Sequence, residues 1–459
     1  METARLIISI GVLTFLGWNV LYLISRGRGL CRTERAALSY ALGVGCVSLE
    51  MLTFFFLGQP LRVSMLLAPW AVVIILNMIR AFREGGAPRD AGALFHGSRA
   101  PYRPVDILLA CGIAFEVCYA FFRALIKPIE SYDAIAIYAI KSKMLFLARA
   151  VTADFFLAMK AFFPHPDYPL NIPFIETFLY MTMGSLNDQL VKVIFPLFAL
   201  AILALLYCAV RRFASRTYAL LFTFVLATIP MFGSYAANAY HELPLACYYF
   251  ASALLLFRWF ERPDRTRLLA VSAVMVGLAG WTKNEGMLYC AVNVIVLAAF
   301  VAFNYKGMSA KGLIGAAAYP VIIVVLLLPW ILVKRSFGIT NSDVDLANIN
   351  PVYIVGQAHK IVPILNEFQK QIFGPKKWNL IWIAALIGFA MQYRSAFTGI
   401  RRYVTLSLAL AVSGYVVFYM KSNIEVVHFV TKTWARFLLH FLPVAVYWLA
   451  LILKDDIRI

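Results

Sequence analysis

Apolar stretches of about 20 residues recur from one end of this chain to the other. A stretch of that length can satisfy all its backbone amides and carbonyls within one helix while crossing a bilayer. About 13 can be drawn, at roughly 5–25, 36–58, 63–80, 104–124, 190–210, 217–235, 242–257, 268–282, 287–304, 312–333, 378–393, 403–420 and 437–453. Composition agrees: 62% of residues are hydrophobic and 14% charged, too little charge to cover a water-facing surface. The expected fold class is an all-α integral-membrane protein, a polytopic helical bundle.

The loops give the orientation. Arg26, Arg28, Arg32 and Arg35 share one loop, and Arg80, Arg83, Arg89, Arg99 and Arg103 another. Arg211, Arg212 and Arg216 follow, then Arg258, Arg262, Arg265 and Arg267, then Lys306 with Lys311. Arg394, Arg401 and Arg402, with Lys454 and Arg458 in the tail, complete the series. Every second loop is basic, so positive-inside bias predicts an outer N-terminus and a cytoplasmic C-terminus. The net charge of +19 is thereby spread between spans, which excludes nucleic acid as a partner and points to anionic membrane lipids. The first stretch is too long for a signal-peptide core and is expected to remain as a span. The seven cysteines lie mostly inside spans without a C-x-x-C pair, so neither disulfides nor a metal site is expected from them.

Two outer loops are long, about 125–189 and 334–377, and loops of that length are usually functional. In the first, Ile137, Ile140, Met144 and Leu147 recur at helical spacing beside Lys141, Lys143 and Arg149, which predicts an amphipathic helix on the membrane surface.

The unusual polar residues all fall on the face opposite the arginines. Glu130-Ser-Tyr-Asp133 follows a span; a carboxylate there can act as a base on a hydroxyl, or cap a helix. His165-Pro-Asp167-Tyr168-Pro169 and Pro173 read as a kinked re-entrant loop, with His165, Asp167 and Tyr168 as candidate substrate contacts. His241-Glu242 opens a span, where a carboxylate needs a partner, hydration or a function. Lys283-Asn-Glu285 is a polar break between two spans; its lysine can snorkel or hold a phosphate as a point charge. Arg436, read as opening the last span ahead of His440 and Pro443, carries a fork suited to two phosphate oxygens. Should a divalent metal be needed, Asp133, Glu242 and His241 are the candidate ligands, although adjacent residues are a weak metal signal.

Taken in order, these segments resemble the GT-C superfamily of polyprenyl-phosphate-sugar-dependent glycosyltransferases, in particular its protein-mannosyltransferase-like and aminoarabinose-transferase-like bacterial members. The resemblance rests on Asp133 with "DAIAIYAIKSK" behind it, "HPDYPLNIP", "AYHELPL", "LAGWTKNEG" and "ARFLLHFLP". It divides the chain into a three-span extension (1–103), a GT-C-like catalytic module (104–333), an outer loop (334–377) and a three-span end (378–459). It implies that Asp133 is the catalytic base and that Glu242, where many relatives carry Asp, is the second acid. It further implies that Lys283 and Arg436, with Lys141 and Lys143, hold the lipid phosphate. Glu130, His165, Tyr168, His241 and Glu285 are then the remaining substrate contacts. The implied activity is inverting transfer of a hexosyl or pentosyl group from a polyprenyl-phosphate sugar to a hydroxyl of an outer-face glycan or lipid, in a bacterial inner membrane and without a soluble cofactor. Two departures stand out: three spans precede the matching part, and the soluble domain of some relatives is not seen. An O-antigen ligase or polymerase using lipid pyrophosphate would instead rely on Lys334, Arg335, His359 and Lys360 of the second loop. A transporter would place charges near mid-membrane and show internal symmetry.

Overall fold

The computed structural model describes residues 1–83, 101–341 and 351–454. Helix α1 (Glu2–Ser25) pairs antiparallel with α2 (Arg32–Phe56), and α3 (Val63–Leu67) with α4 (Trp70–Arg83) returns the chain. After α5 (Pro104–Ile126) comes a cap: a π-helical turn over Ala134–Ala139, then α6 (Ile140–Ala148), α7 (Ala153–Phe162) and α8 (Asn171–Met183). The bundle continues with α9 (Ile194–Arg211), α10 (Arg216–Ala227), α11 (Pro230–Tyr235), α12 (Glu242–Glu261), α13 (Thr266–Thr282), α14 (Gly286–Asn304) and α15 (Ala310–Phe337). A second cap of α16 (Pro351–Gly356), α17 (Ile361–Ile372) and α18 (Pro375–Trp378) leads to α19 (Ile381–Met391), α20 (Tyr393–Ala396), α21 (Arg401–Met420) and α22 (Val426–Ile452).

Among the described residues, 10 helices are long and apolar enough to cross a membrane, and the protein is a multi-pass membrane protein. Three of the expected spans are shorter helices, Arg216–Ala227, Thr266–Thr282 and Ile381–Met391. The first of these stops early because Pro230 starts a new helix and forces Ile229 to extended backbone. The last span differs most. It begins at Val426, where the Glu425 carboxylate accepts from the amides of Val427 (2.9 Å) and His428 (2.7 Å). Arg436 is therefore not at the helix opening but about 15 Å along it. Of the basic loop residues, Arg89, Arg99 and Arg458 lie outside the described residues.

Helices α12 and α22 form the centre, each with 94% of its apolar window buried, against 17% for α5. The α1–α2 pair is packed into this bundle. A Cβ on Gly17 would stand 1.8 Å from the Ser39 carbonyl oxygen, so only glycine permits the approach. Glu2 accepts from Ser185 (2.7 Å) and Asn187 (2.8 Å) just after α8, and Ser48 of α2 donates to Asn171 (2.6 Å) at the start of α8.

The amphipathic segment of the first long loop is helical, but its expected apolar stripe is split between two faces. Ala134, Ile137, Tyr138, Lys141, Ser142 and Leu145 form the buried stripe, while Ile140 and Leu147 are exposed. Ile137 of the expected stripe is thus buried, together with the polar Lys141 and Ser142, whereas Ile140 and Leu147 of the same stripe face outward. The proline-rich run is a turn, with His165 at φ 50°, that feeds the almost wholly buried α8.

Candidate active site

Three short structural devices deliver the polar side chains to one end of the bundle. The first is the π-helical turn after Asp133. Its i→i+5 bonding, seen in the Ile140 amide donating to the Ile135 carbonyl, puts residues five apart in line, which brings Asp133 and Tyr138 to the same side. The second is the start of α12. Pro244 sits in the first turn, where no backbone donor is needed, so the chain can present Tyr240, His241 and Glu242 in succession. The third is the break between α13 and α14. Only Lys283, Asn284 and Glu285 join the two helices, and a Cβ on Gly286 would lie 2.0 Å from the Ala279 oxygen.

The result is a chain of charges running from the solvent-accessible edge inward. Asp133 Oδ2 accepts from Arg436 Nη1 at 2.6 Å, and the same nitrogen stands 4.0 Å from Glu242 Oε1. Glu242 Oε1 is 3.2 Å from Lys283 Nζ, which is 3.1 Å from Glu285 Oε1. Asp133 retains 23% side-chain exposure, whereas Glu242 retains none. A carboxylate so placed is tolerated only when cations neutralise it, and here three acids share two cations. Burial pushes Lys283 down, but Glu242 and Glu285 outweigh it and hold the ammonium above the usual lysine range. One oxygen of Glu242 and one of Glu285 meet no hydrogen-bond donor.

Aromatic rings wall this chain. Arg436 lies over the Tyr240 ring (5.0 Å to the centroid) and Lys283 over that of Tyr168 (5.6 Å). Tyr138 stacks on His241 at 3.6 Å, and His165 on Tyr168 at 5.2 Å. His241 is fully buried, and burial followed by the nearby Lys283 and Lys141 pushes its imidazole well below the usual range. Lys141, equally buried, donates to the His165 carbonyl (3.1 Å), and burial pushes its ammonium down to about 7.

Of the residues singled out in the sequence, Asp133, Glu242, Lys283, Glu285 and Arg436 come together directly. Tyr168, His241, His165 and Lys141 form their surround. Two do not join. Glu130 is exposed and pairs with Lys127 (3.2 Å), and Lys143 is engaged by Asp188 (2.6 Å), which also accepts from Tyr180. Asp133, Glu242 and His241 are not gathered as a metal set, because Arg436 stands between the two carboxylates and His241 is stacked on Tyr138. Among the described residues no three His, Cys, Asp or Glu side chains are grouped for a metal ion.

The fold has counterparts among known proteins. Residues 167–336 match the family model of the dolichyl-phosphate-mannose-protein mannosyltransferases. The crystal structure of ArnT from Cupriavidus metallidurans in the apo state superposes with a TM-score of 0.52 at 16% identity, over 78% of this chain and 61% of that one. The same protein bound to undecaprenyl phosphate gives 0.52 and 16%, over 76% and 60%. The fold is that of the GT-C superfamily. An oligosaccharyltransferase from Archaeoglobus fulgidus is a more distant likeness, with a TM-score of 0.49 at 12% identity, over 76% of this chain and 49% of that one. The chain spans about three fifths of the length of ArnT, and no curated protein matches its sequence.

The family match contains Glu242, Lys283 and Glu285 but stops short of Asp133 and Arg436, which the fold alone brings to them. Sequence reasoning passed over three neighbours. Tyr138 is one, and only the π-helical turn reveals its alignment with Asp133. Glu176 is another, wholly buried in α8 and hydrogen-bonded by Ser142 at 2.7 Å; burial pushes its carboxyl up to about 7. An acid within the apolar run "NIPFIETFLYM" is itself a signal. The third is Asn284, which donates to Asp167, as does Asn341 at 2.7 Å.

Proposed function

We propose that this protein is an inverting glycosyltransferase of GT-C type that moves a sugar from a polyprenyl-phosphate donor to a hydroxyl of a glycan or lipid. The observation that carries the reading is the position of Arg436 between Asp133 and Glu242, at 2.6 and 4.0 Å. The likeness to ArnT, whose structure is known with undecaprenyl phosphate bound, supports the donor class. Transfer takes place on the outer face, with the N-terminus outside and the C-terminus in the cytoplasm. Alternation of the basic loops supports that orientation, in what would be a bacterial inner membrane.

The mechanism follows from a competition for Arg436. A lipid phosphate entering the site offers the guanidinium a bidentate anion, and Arg436 exchanges Asp133 for it. The freed Asp133, which retains solvent access, takes the proton of the acceptor hydroxyl. The acceptor oxygen bonds to the anomeric carbon while the bond from that carbon to the phosphate oxygen breaks. The electron pair leaves with the phosphate, where Arg436 stabilises the growing charge. Glu242, fixed by Lys283, holds Arg436 on its inner side. Lys283 is therefore a positioning residue, committed to Glu242 and Glu285, and Lys141 supports the loop that carries His165. Glu130, expected as a substrate contact, and Lys143, expected as a phosphate contact, are engaged by Lys127 and Asp188 and take no step here.

The test uses the purified full chain with a set of isotope-labelled polyprenyl-phosphate hexoses and pentoses and membrane glycolipid acceptors. Product identification by mass spectrometry should show sugar transfer with inverted anomeric configuration and free polyprenyl phosphate. Direct use of a nucleotide sugar, or release of polyprenyl pyrophosphate, would overturn the proposal.

A further inference from the structure

We infer a second binding site, for the phosphate headgroup of an acidic lipid, at the arginine-rich end of the bundle. It lies at the far end of α12, about 30 Å from Glu242. There the ends of α9, α12 and α22 meet the start of α21 around a cavity of about 390 Å³. Among the described residues its lining includes Arg212, Arg258, Arg401 and Lys454 as cations, Glu261 as an acid, and Tyr447. Behind the lining, Glu34 is buried and pairs with Arg212 (2.7 Å) and Arg258 (3.1 Å). Both guanidiniums also donate to the Gly29 carbonyl, which fixes them in place. Among the described residues, these four cations face two acids, Glu34 and Glu261, and Arg401 also donates to the Ser395 hydroxyl.

Positive-inside bias explains why arginines occupy these loops. It does not explain why four cations from four helices converge on one recess with an apolar wall, formed here by Phe213, Leu254 and Leu451. Cations beside an apolar wall at a bundle end are the arrangement that suits a lipid headgroup: the phosphate meets the cations, and the glycerol and first acyl carbons lie along the wall. A soluble phosphate ester would share the cations but gain nothing from the apolar side. Two of the cations, Arg212 and Arg258, are held rigidly by Glu34, so the site is organised before any ligand arrives.

The experiment is native mass spectrometry of the delipidated full chain in neutral detergent, titrated with phosphatidylglycerol, phosphatidylcholine or inorganic phosphate. The variants are Arg401→Gln with Lys454→Gln, and the charge-conserving Arg401→Lys with Lys454→Arg. Wild type should retain phosphatidylglycerol, the neutral double variant should bind it at least about tenfold more weakly, and the charge-conserving pair should keep most of the affinity. Phosphatidylcholine should leave no comparable adduct, and inorganic phosphate should compete only in large excess. Equal retention by wild type and the neutral variant, or by the two lipids, would overturn the site. Displacement of the lipid by equimolar phosphate would reject a lipid headgroup in favour of a soluble phosphate ester.

Discussion

Arg436 of the last helix and Asp133 of the first long loop, 303 residues apart in the chain, meet at 2.6 Å at the edge of a buried charge cluster. The pairing leaves the proposed base and the proposed phosphate contact each occupied by the other. In the proposed mechanism donor binding and release of the base are a single event, and the consequences differ between the two residues.

Asp133→Asn should abolish sugar transfer while polyprenyl phosphate binds at least as tightly as to wild type, because Arg436 loses its competing anion. Asparagine keeps the size but cannot accept the proton. Turnover together with equilibrium binding of labelled polyprenyl phosphate checks both halves. Turnover within a few-fold of wild type would remove Asp133 from the chemistry.

Arg436→Gln should weaken lipid-phosphate binding by about one to two powers of ten, the equivalent of about 1.5–3 kcal/mol for a charge-assisted bond. Arg436→Lys should restore little, since a point charge cannot serve two anions as a planar fork does. Binding isotherms on the two variants decide it, and a lysine variant at wild-type affinity would refute the bridging role.

Lys283→Met should destabilise the protein by about 3–5 kcal/mol, because two buried carboxylates lose their shared cation. Adding Glu242→Gln to it should recover part of that loss. Thermal melting in detergent provides the comparison. A single variant as stable as wild type would show that the ammonium is dispensable to the fold.

Stability should depend on pH through two buried groups outside the spans, with opposite signs. Burial lowers Lys141 to about 7, so its contribution is present above the unfolded lysine value and is lost as pH falls toward 7. Burial raises Glu176 to about 7, so its contribution is full below the unfolded glutamate value and is lost as pH rises to 7. The two together predict a shallow stability minimum near neutrality. Melting curves from pH 5 to 9 should show it, Lys141→Met should flatten the alkaline limb, and Glu176→Gln the acidic one. Unchanged profiles in the variants would assign the pH dependence to other groups.

The orientation can be read chemically. A cysteine at the exposed Asp154, on a background without native cysteines, should react with an impermeant maleimide in intact cells. One at the exposed Lys306 should react only after lysis. The reverse pattern would place the charge cluster on the cytoplasmic side.

The sequence alone determined the membrane bundle, the alternation of its basic loops and the face on which the polar residues gather. Span length and loop charge are local properties of the chain, set by bilayer thickness and by the cost of moving cations across it. The resemblance carried by the short motifs extended that reading to the GT-C fold. What the sequence did not contain was pairing. Arg436 read as a cation at a helix opening, yet Glu425 starts that helix ten residues earlier, so the guanidinium enters the cluster from well inside α22. Lys283 read as a cation that could hold a phosphate, yet the three-residue link above Gly286 turns it between Glu242 and Glu285. Glu130 and Lys143, close to Asp133 in sequence, are held by other partners. Charges pair with whatever helix packing brings within a few ångströms, and that is decided by contacts between residues hundreds of positions apart.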